Sequence, residues 1–169
     1  MSNSKNRITI MKELKFCAGH RLQGHGGKCE NLHGHNYRIQ IYVTGAETDT
    51  VGRLVDFSVI KRLFKGWFDE HWDHAMILAE DDQQAIDAIR SVRNRLYLLP
   101  YSPTAENMAR YVLENVAPKL VKQIPDYQVV VCKVALWETE SSCAEIELST
   151  EQLENGYIAV ENWQRSLQT

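Results

Sequence analysis

From His33 to Thr44 the chain runs HGHNYRIQIYVT, and every second residue belongs to one set: His33, His35, Tyr37, Ile39, Ile41, Val43. Asn36, Arg38 and Gln40 fall between them. A period of two is the signature of a strand, whose successive side chains point to opposite faces. On such a strand the two imidazoles of the HxH share one side, about 7 Å apart along the backbone, within reach of a single ion. Residues 8 to 20 show the same period: Ile8, Ile10, Leu14, Phe16 and Ala18 share a parity, and His20 falls on it if the extension persists. Between the two strands, residues 21 to 32 carry Gly24, Gly26 and Gly27 and can fold back to bring His20 beside the HxH.

Beyond this pair the spacing turns helical. Val59, Ile60, Leu63, Phe64, Trp67 and Phe68 form an apolar stripe over 57–70, with Asp56 as N-cap. A second helix is expected over 82–93, a short strand over 96–99, and a third helix after SPTAEN, capped by Ser102 or Thr104 and ended or kinked at Pro118. Residues 127–138 and 143–148 read as strands joined by a hairpin at ETESS. In the tail, Asn155-Gly156 is a turn signal and Trp163 a packing residue. The order gives an α+β fold in one domain spanning 1–169, with a motif-bearing core over 8–148 and a C-terminal extension over 149–169.

With 19 basic against 22 acidic side chains, the charge balance argues against nucleic acid as the main partner, because such partners usually demand a basic footprint. No apolar run approaches the length of a membrane span, and MSNSKNRITIMKEL has no secretory h-region. The expected location is cytoplasmic, where Cys17, Cys29, Cys132 and Cys143 stay thiols. There, a cysteine close to histidines points to a metal or catalytic site.

Three groups of residues carry chemistry. His20, His33 and His35 offer three neutral nitrogen ligands, and three protein ligands with an open position is the arrangement of a catalytic zinc site. The bland alternative is three hydrogen-bonded strand histidines. His25, between glycines, is set aside. Cys29 is either a fourth ligand closing a structural site or a reactive thiol beside the metal, and spacing alone does not decide. Asp73 and His74 are adjacent at a helix end, as a proton-transfer pair or as a helix terminus. Glu138 extends the apolar parity of Val130, Cys132, Val134 and Leu136, so its carboxylate needs a partner, such as the amidine-like edge of a ligand. Glu106 is also explained as an acid in a helix first turn.

Taken together, FCAGHRL, CENLHGHNY, WDHAMIL, PTAEN and WET, in that order from Phe16 to Ile146, resemble the 6-pyruvoyltetrahydropterin synthase and 6-carboxytetrahydropterin synthase family. The C-x-x-x-H-G-H spacing is similar to that of the bacterial 6-carboxytetrahydropterin synthases of the queuosine pathway. The resemblance implies zinc (Zn2+) on His20, His33 and His35, with Cys29 as general base or acid. It implies Asp73 and His74 as a second proton-transfer pair, Glu138 as anchor of the pterin's amino-pyrimidine edge, and Thr104 and Glu106 lining that pocket.

It further implies a tunnelling fold: an antiparallel sheet with helices on one face, joined with its copies into an oligomeric barrel, a homohexamer built as a dimer of trimers. The implied reaction converts 7,8-dihydroneopterin triphosphate to 6-carboxytetrahydropterin, acetaldehyde and triphosphate. The pyruvoyl-forming reaction and an inactive zinc-binding protein are the alternatives. The chain departs from compact relatives between Leu78 and Pro103, which is longer, and after Leu148. Arg21 and Lys28 are the nearest basic residues in sequence for the phosphates.

Overall fold

A computed structural model describes residues 7–124 and 128–156. Strands β1 (Ile8–His20) and β2 (His33–Gly45) form a long antiparallel ribbon. Their register pairs Phe16 with Tyr37, Ala18 with His35 and His20 with His33. The shared apolar parity read from the sequence thus becomes one continuous buried face: Leu14, Phe16, Ala18, Tyr37, Ile39, Ile41 and Val43. Strand β5 (Val129–Trp137) adds to β2 with a bulge between Tyr42 and Val43, and β6 (Cys143–Glu147) adds to β5 through the expected hairpin.

Helix α1 (Phe57–His71) starts where Asp56 Oδ1 accepts the Ser58 amide at 2.8 Å, and it buries Ile60, Leu63, Phe64 and Phe68 against this face. Phe16 stacks on both Phe68 (centroids 5.0 Å apart) and Tyr37 (5.1 Å). The helix ends at Trp72, fully buried. His74 then adopts the left-handed region at φ 56, and the chain turns into a strand. That strand, β3 (Ala75–Ala79), was not anticipated: AMILA is short and uniformly apolar, which periodicity cannot tell from a helix end.

β3 pairs parallel with β1, and β4 (Leu96–Leu99) pairs parallel with β3, so the sheet is mixed, in the order β4-β3-β1-β2-β5-β6. Between them, α2 (Gln83–Ser91) is the crossover that a parallel pair requires. It packs Ala85, Ile86 and Ile89 on Leu78, whereas the neighbouring Ile77 joins the main core. Alternating residues of β3 therefore face opposite ways. α1 and the 105–121 helix occupy the expected face, while α2 covers the other, and this added unit accounts for the long 78–103 segment.

The third helix begins as α3 (Ala105–Tyr111), capped by Thr104 rather than Ser102. Pro118 does not end it. The helix passes through a π-turn over Val112–Val116, where the Ala117 amide reaches back to the Val112 carbonyl, and resumes as α4 (Ala117–Val121). The wider register accommodates a residue without an amide hydrogen. Asn155-Gly156 is helical, not a turn. Ser149 and Gln152 form a reciprocal capping box (Ser149 Oγ accepts the Gln152 amide at 3.2 Å, Gln152 Oε1 the Ser149 amide at 2.9 Å), and Gly156 lets this helix approach Val130. Trp163 lies outside the described residues, as does Tyr127 of the expected strand.

Candidate metal centre

The β1–β2 register sets His20 opposite His33, and the period of two adds His35 on the same face. One ring nitrogen from each lies within 4.8 Å of the others. His20 Nε2 and His33 Nε2 are 3.1 Å apart. Their outer nitrogens are both engaged: His20 Nδ1 lies 2.9 Å from the Pro103 carbonyl, and His33 Nδ1 lies 2.7 Å from the Asn31 carbonyl. A carbonyl only accepts, so each Nδ1 carries the proton, and in the neutral ring each Nε2 presents a lone pair. Two lone pairs then face each other at hydrogen-bond distance with no proton between them. His35 Nε2 is buried and without a hydrogen-bond partner. A cation placed among the three rings resolves both problems, and outer nitrogens held by backbone carbonyls are the usual support of metal-bound histidines. Burial holds the pKa of His20 and of His35 below the ordinary histidine value, favouring the neutral rings a metal needs.

The glycine inside HGH has a structural reason. A Cβ on Gly34 would lie 2.9 Å from the Ala18 carbonyl oxygen, so a side chain there would push β1 and β2 apart between the histidines.

Glu138 reaches the same centre. Its Oε1 is 3.5 Å from His20 Nε2 and 3.9 Å from His35 Nε2. Tyr37, one step further along β2, sets its ring edge-on to His20 and His35. Its hydroxyl is buried without a partner, and burial pushes its pKa up, with Glu138 and Cys29 adding to the effect. Cys29 sits in a single 3-10 turn over Lys28–Glu30 that is tied to the end of β1 by the Leu22 amide on the Cys29 carbonyl. It is not a fourth member of the converging set.

Asp73 and His74 are elsewhere. Asp73 Oδ1 accepts the Cys17 amide at 2.8 Å, and the His74 amide donates to the Cys17 carbonyl at 2.7 Å. The Cys17 side chain alternates with those of Phe16 and Ala18, so this cluster stands on the opposite face of the sheet from the triad. Within one chain the two groups do not converge. The carboxylate–imidazole contact itself is present but loose, at 3.8 Å, with His74 77% exposed.

Thr104 Oγ1 accepts the Asn107 amide as helix cap. Glu106 is exposed in the first turn and makes no ion pair or hydrogen bond among the described residues. Arg21, considered for phosphate binding, is instead held by Asp82 through two contacts of 2.6 Å, while Lys28 stays in the turn beside Cys29. His25 remains an exposed loop residue. The Pro103 and Asn31 carbonyls are not legible in the sequence, since backbone atoms leave no mark in residue type. Tyr37 had a signal, being in phase with the HxH.

The sequence profile described as 6-pyruvoyl tetrahydropterin synthase matches residues 9–149. The chain is 38% identical over 140 residues to the 6-carboxy-5,6,7,8-tetrahydropterin synthase of Rickettsia bellii, covering 82% of this chain and 99% of the relative. It is 31% identical over 144 residues to the enzyme of the same name from Haemophilus influenzae, covering 82% and 97%. Among solved structures, the fold is similar to an uncharacterized protein from Wolinella succinogenes (TM-score 0.68, 22% identity, 85% of this chain and 99% of that one). It is also similar to the 6-pyruvoyl tetrahydropterin synthase of Plasmodium vivax (TM-score 0.63, 18% identity, 85% and 99%).

Proposed function

The chain belongs to the 6-pyruvoyl tetrahydropterin synthase family, and we propose that it acts there as a zinc-dependent 6-carboxytetrahydropterin synthase. It is a lyase of pterin synthesis. In our reading it converts 7,8-dihydroneopterin triphosphate and water to 6-carboxy-5,6,7,8-tetrahydropterin, acetaldehyde and triphosphate, in the cytoplasm, on the route to queuosine. The observation that carries the reading is the pair of imidazole lone pairs meeting at 3.1 Å, with Nδ1 of each ring locked outward. The relatives named for the carboxy product, at up to 38% identity over most of the chain, favour that product over the pyruvoyl one.

Zinc on His20, His33 and His35 supplies Lewis-acid polarisation of the substrate's side-chain hydroxyls. Cys29, four residues before His33, takes and returns a proton at the side-chain carbons. Asp73 orients His74, which handles the proton on the other side of the substrate. Glu138 accepts two hydrogen bonds from the amino-pyrimidine edge, and Thr104 and Glu106 flank the ring. Because Asp73 and His74 stand on the opposite face of the sheet from the triad, a complete site takes them from a second copy. This supports a homo-oligomer, in our reading a hexamer.

The test is to supply zinc-loaded protein with 7,8-dihydroneopterin triphosphate, trap aldehydes and identify the pterin by mass spectrometry. Acetaldehyde with a carboxypterin supports the reading. A pyruvoyl pterin without acetaldehyde replaces it with the sister reaction. Unchanged substrate with zinc bound rejects both. Zinc content of Glu138→Gln decides the role of that carboxylate: retained zinc fits the pterin anchor, lost zinc makes it a ligand.

A further inference from the structure

We propose that Arg95 is a positioning residue for Asp73 and His74, a clamp that fixes the turn from which His74 handles its proton. The inference rests on the roles read for that pair above. Arg95 immediately precedes β4, at the end of the α2 crossover, 22 residues from Asp73 in sequence. It gives the segment between α1 and α3 a part in the reaction.

One guanidinium ties the turn to the helix before it. Arg95 Nη1 donates to the Asp73 carbonyl at 2.9 Å, and Nη2 donates to the Asp69 carbonyl at 3.1 Å and to the Glu70 carbonyl. Asp69 and Glu70 lie in the last turn of α1, where carbonyls lack an amide partner within the helix and a cation complements the dipole. Helix capping is complete with these two. The third bond goes past the helix end, to the residue whose carboxylate faces His74. The Arg95 backbone takes the other end of the turn: its carbonyl accepts the Met76 amide at 2.9 Å. One residue therefore spans His74 and Ala75, gripping the chain just before and just after them.

Cys17 holds the turn from its other side, through its amide on Asp73 Oδ1 and its carbonyl on the His74 amide. His74 needs such a frame. At φ 56 it stands in the left-handed region, where a residue with a side chain persists when its surroundings over-determine it. Its imidazole is exposed and only loosely met by Asp73, so the backbone of the turn, rather than packing, sets where the ring stands. A displacement of about 1 Å at a group that moves a proton can cost about a hundredfold in rate. The planar fork of an arginine bonds three carbonyls at once, which a lysine ammonium on its flexible stem does less well.

Arg95→Met tests it, because it removes the donors and keeps the backbone carbonyl. With zinc-loaded protein and 7,8-dihydroneopterin triphosphate, kcat is expected to fall about ten- to a hundredfold while KM changes less than about threefold. Zinc content stays at the wild-type level, and Arg95→Lys recovers part of the lost turnover. Asp56→Ala, which uncaps the opposite end of α1, controls for lost helix stability and is expected to keep the wild-type kcat. Site-resolved hydrogen exchange reads the clamp directly: in Arg95→Met the Cys17 and His74 amides exchange about tenfold faster. An unchanged kcat, an Asp56→Ala variant that loses as much turnover as Arg95→Met, or unchanged exchange at Cys17 and His74 overturns the proposal. The exchange measurement needs no substrate, so failure of the clamp and failure of the pterin reaction are separately visible.

Discussion

The carbonyl oxygen of Pro103 lies 2.9 Å from Nδ1 of His20, across 83 residues of sequence. A buried imidazole at the end of β1 is thereby oriented by the turn before α3, and that turn is held in place by the Thr104 cap. Thr104→Ala is expected to cost about 1 kcal/mol of stability. Because it acts on the orientation of His20 at one remove, zinc affinity falls by less than about tenfold. Denaturant unfolding and zinc competition with a chelator measure the two effects. Thr104→Ser, which still caps, restores both. A Ser variant as weak as Ala in zinc binding argues against this route.

Gly34→Ala places a methyl against the Ala18 carbonyl, a backbone atom that cannot move without parting the ribbon. Stability is expected to drop by about 1–3 kcal/mol. The displaced histidines bind zinc about tenfold or more weakly. Unchanged zinc affinity with lowered stability shows that the triad tolerates a wider ribbon.

Cys29 lies outside the converging nitrogen set. Cys29→Ala is therefore expected to keep its zinc while turnover falls by about two to four orders of magnitude. Metal analysis beside a product assay separates catalyst from ligand. Mixing this variant with His74→Ala, after dissociation and reassembly, is expected to recover part of the activity, since each supplies what the other lacks. No recovery from reassembled mixed oligomers sinks the shared site.

Asp82 is 1% exposed, caps α2 through the Ala85 amide and grips Arg21 with both oxygens. The Arg21 hydrogen bonds hold its carboxyl below the usual carboxylate range. A depressed folded value means stability that is complete above the unfolded value of about 3.9 and is lost as pH falls through the folded one. Asp82→Asn, which can still cap, leaves Arg21 unpaired and is expected to cost about 3 kcal/mol at neutral pH. Acidification erodes the wild type toward the variant, so their unfolding midpoints converge at low pH. A gap that stays constant down to pH values below the folded pKa assigns the effect to packing instead.

The sheet's antiparallel half and the triad were legible because one physical signal, alternation, specifies strand, buried face and imidazole convergence at once. What alternation does not encode was not legible. AMILA has no polar residues to mark its faces, because β3 is covered on both sides, by the main core at Ile77 and by α2 at Leu78. The Asp82–Arg21 pair joins residues 61 apart whose types are ordinary on any surface. The placement of Asp73 and His74 across the sheet from the triad depends on which residue of β1 their turn reaches. That residue, Cys17, is marked in the sequence only as one of four cysteines expected to stay thiols.

Strand β1 carries two sets of side chains in alternation: Phe16, Ala18 and His20 toward α1 and the 105–121 helix, Lys15 and Cys17 toward the opposite face. Each inward position has an outward neighbour a single peptide bond away, yet the two are insulated by the thickness of the sheet. Substitutions at odd and even positions of this strand can therefore drift independently, one parity adjusting what the opposite face holds, the other what the imidazoles hold. A single-residue insertion upstream of Cys17 has no such freedom. It would rotate the imidazole outward and the thiol inward, exchanging the two chemistries in one step.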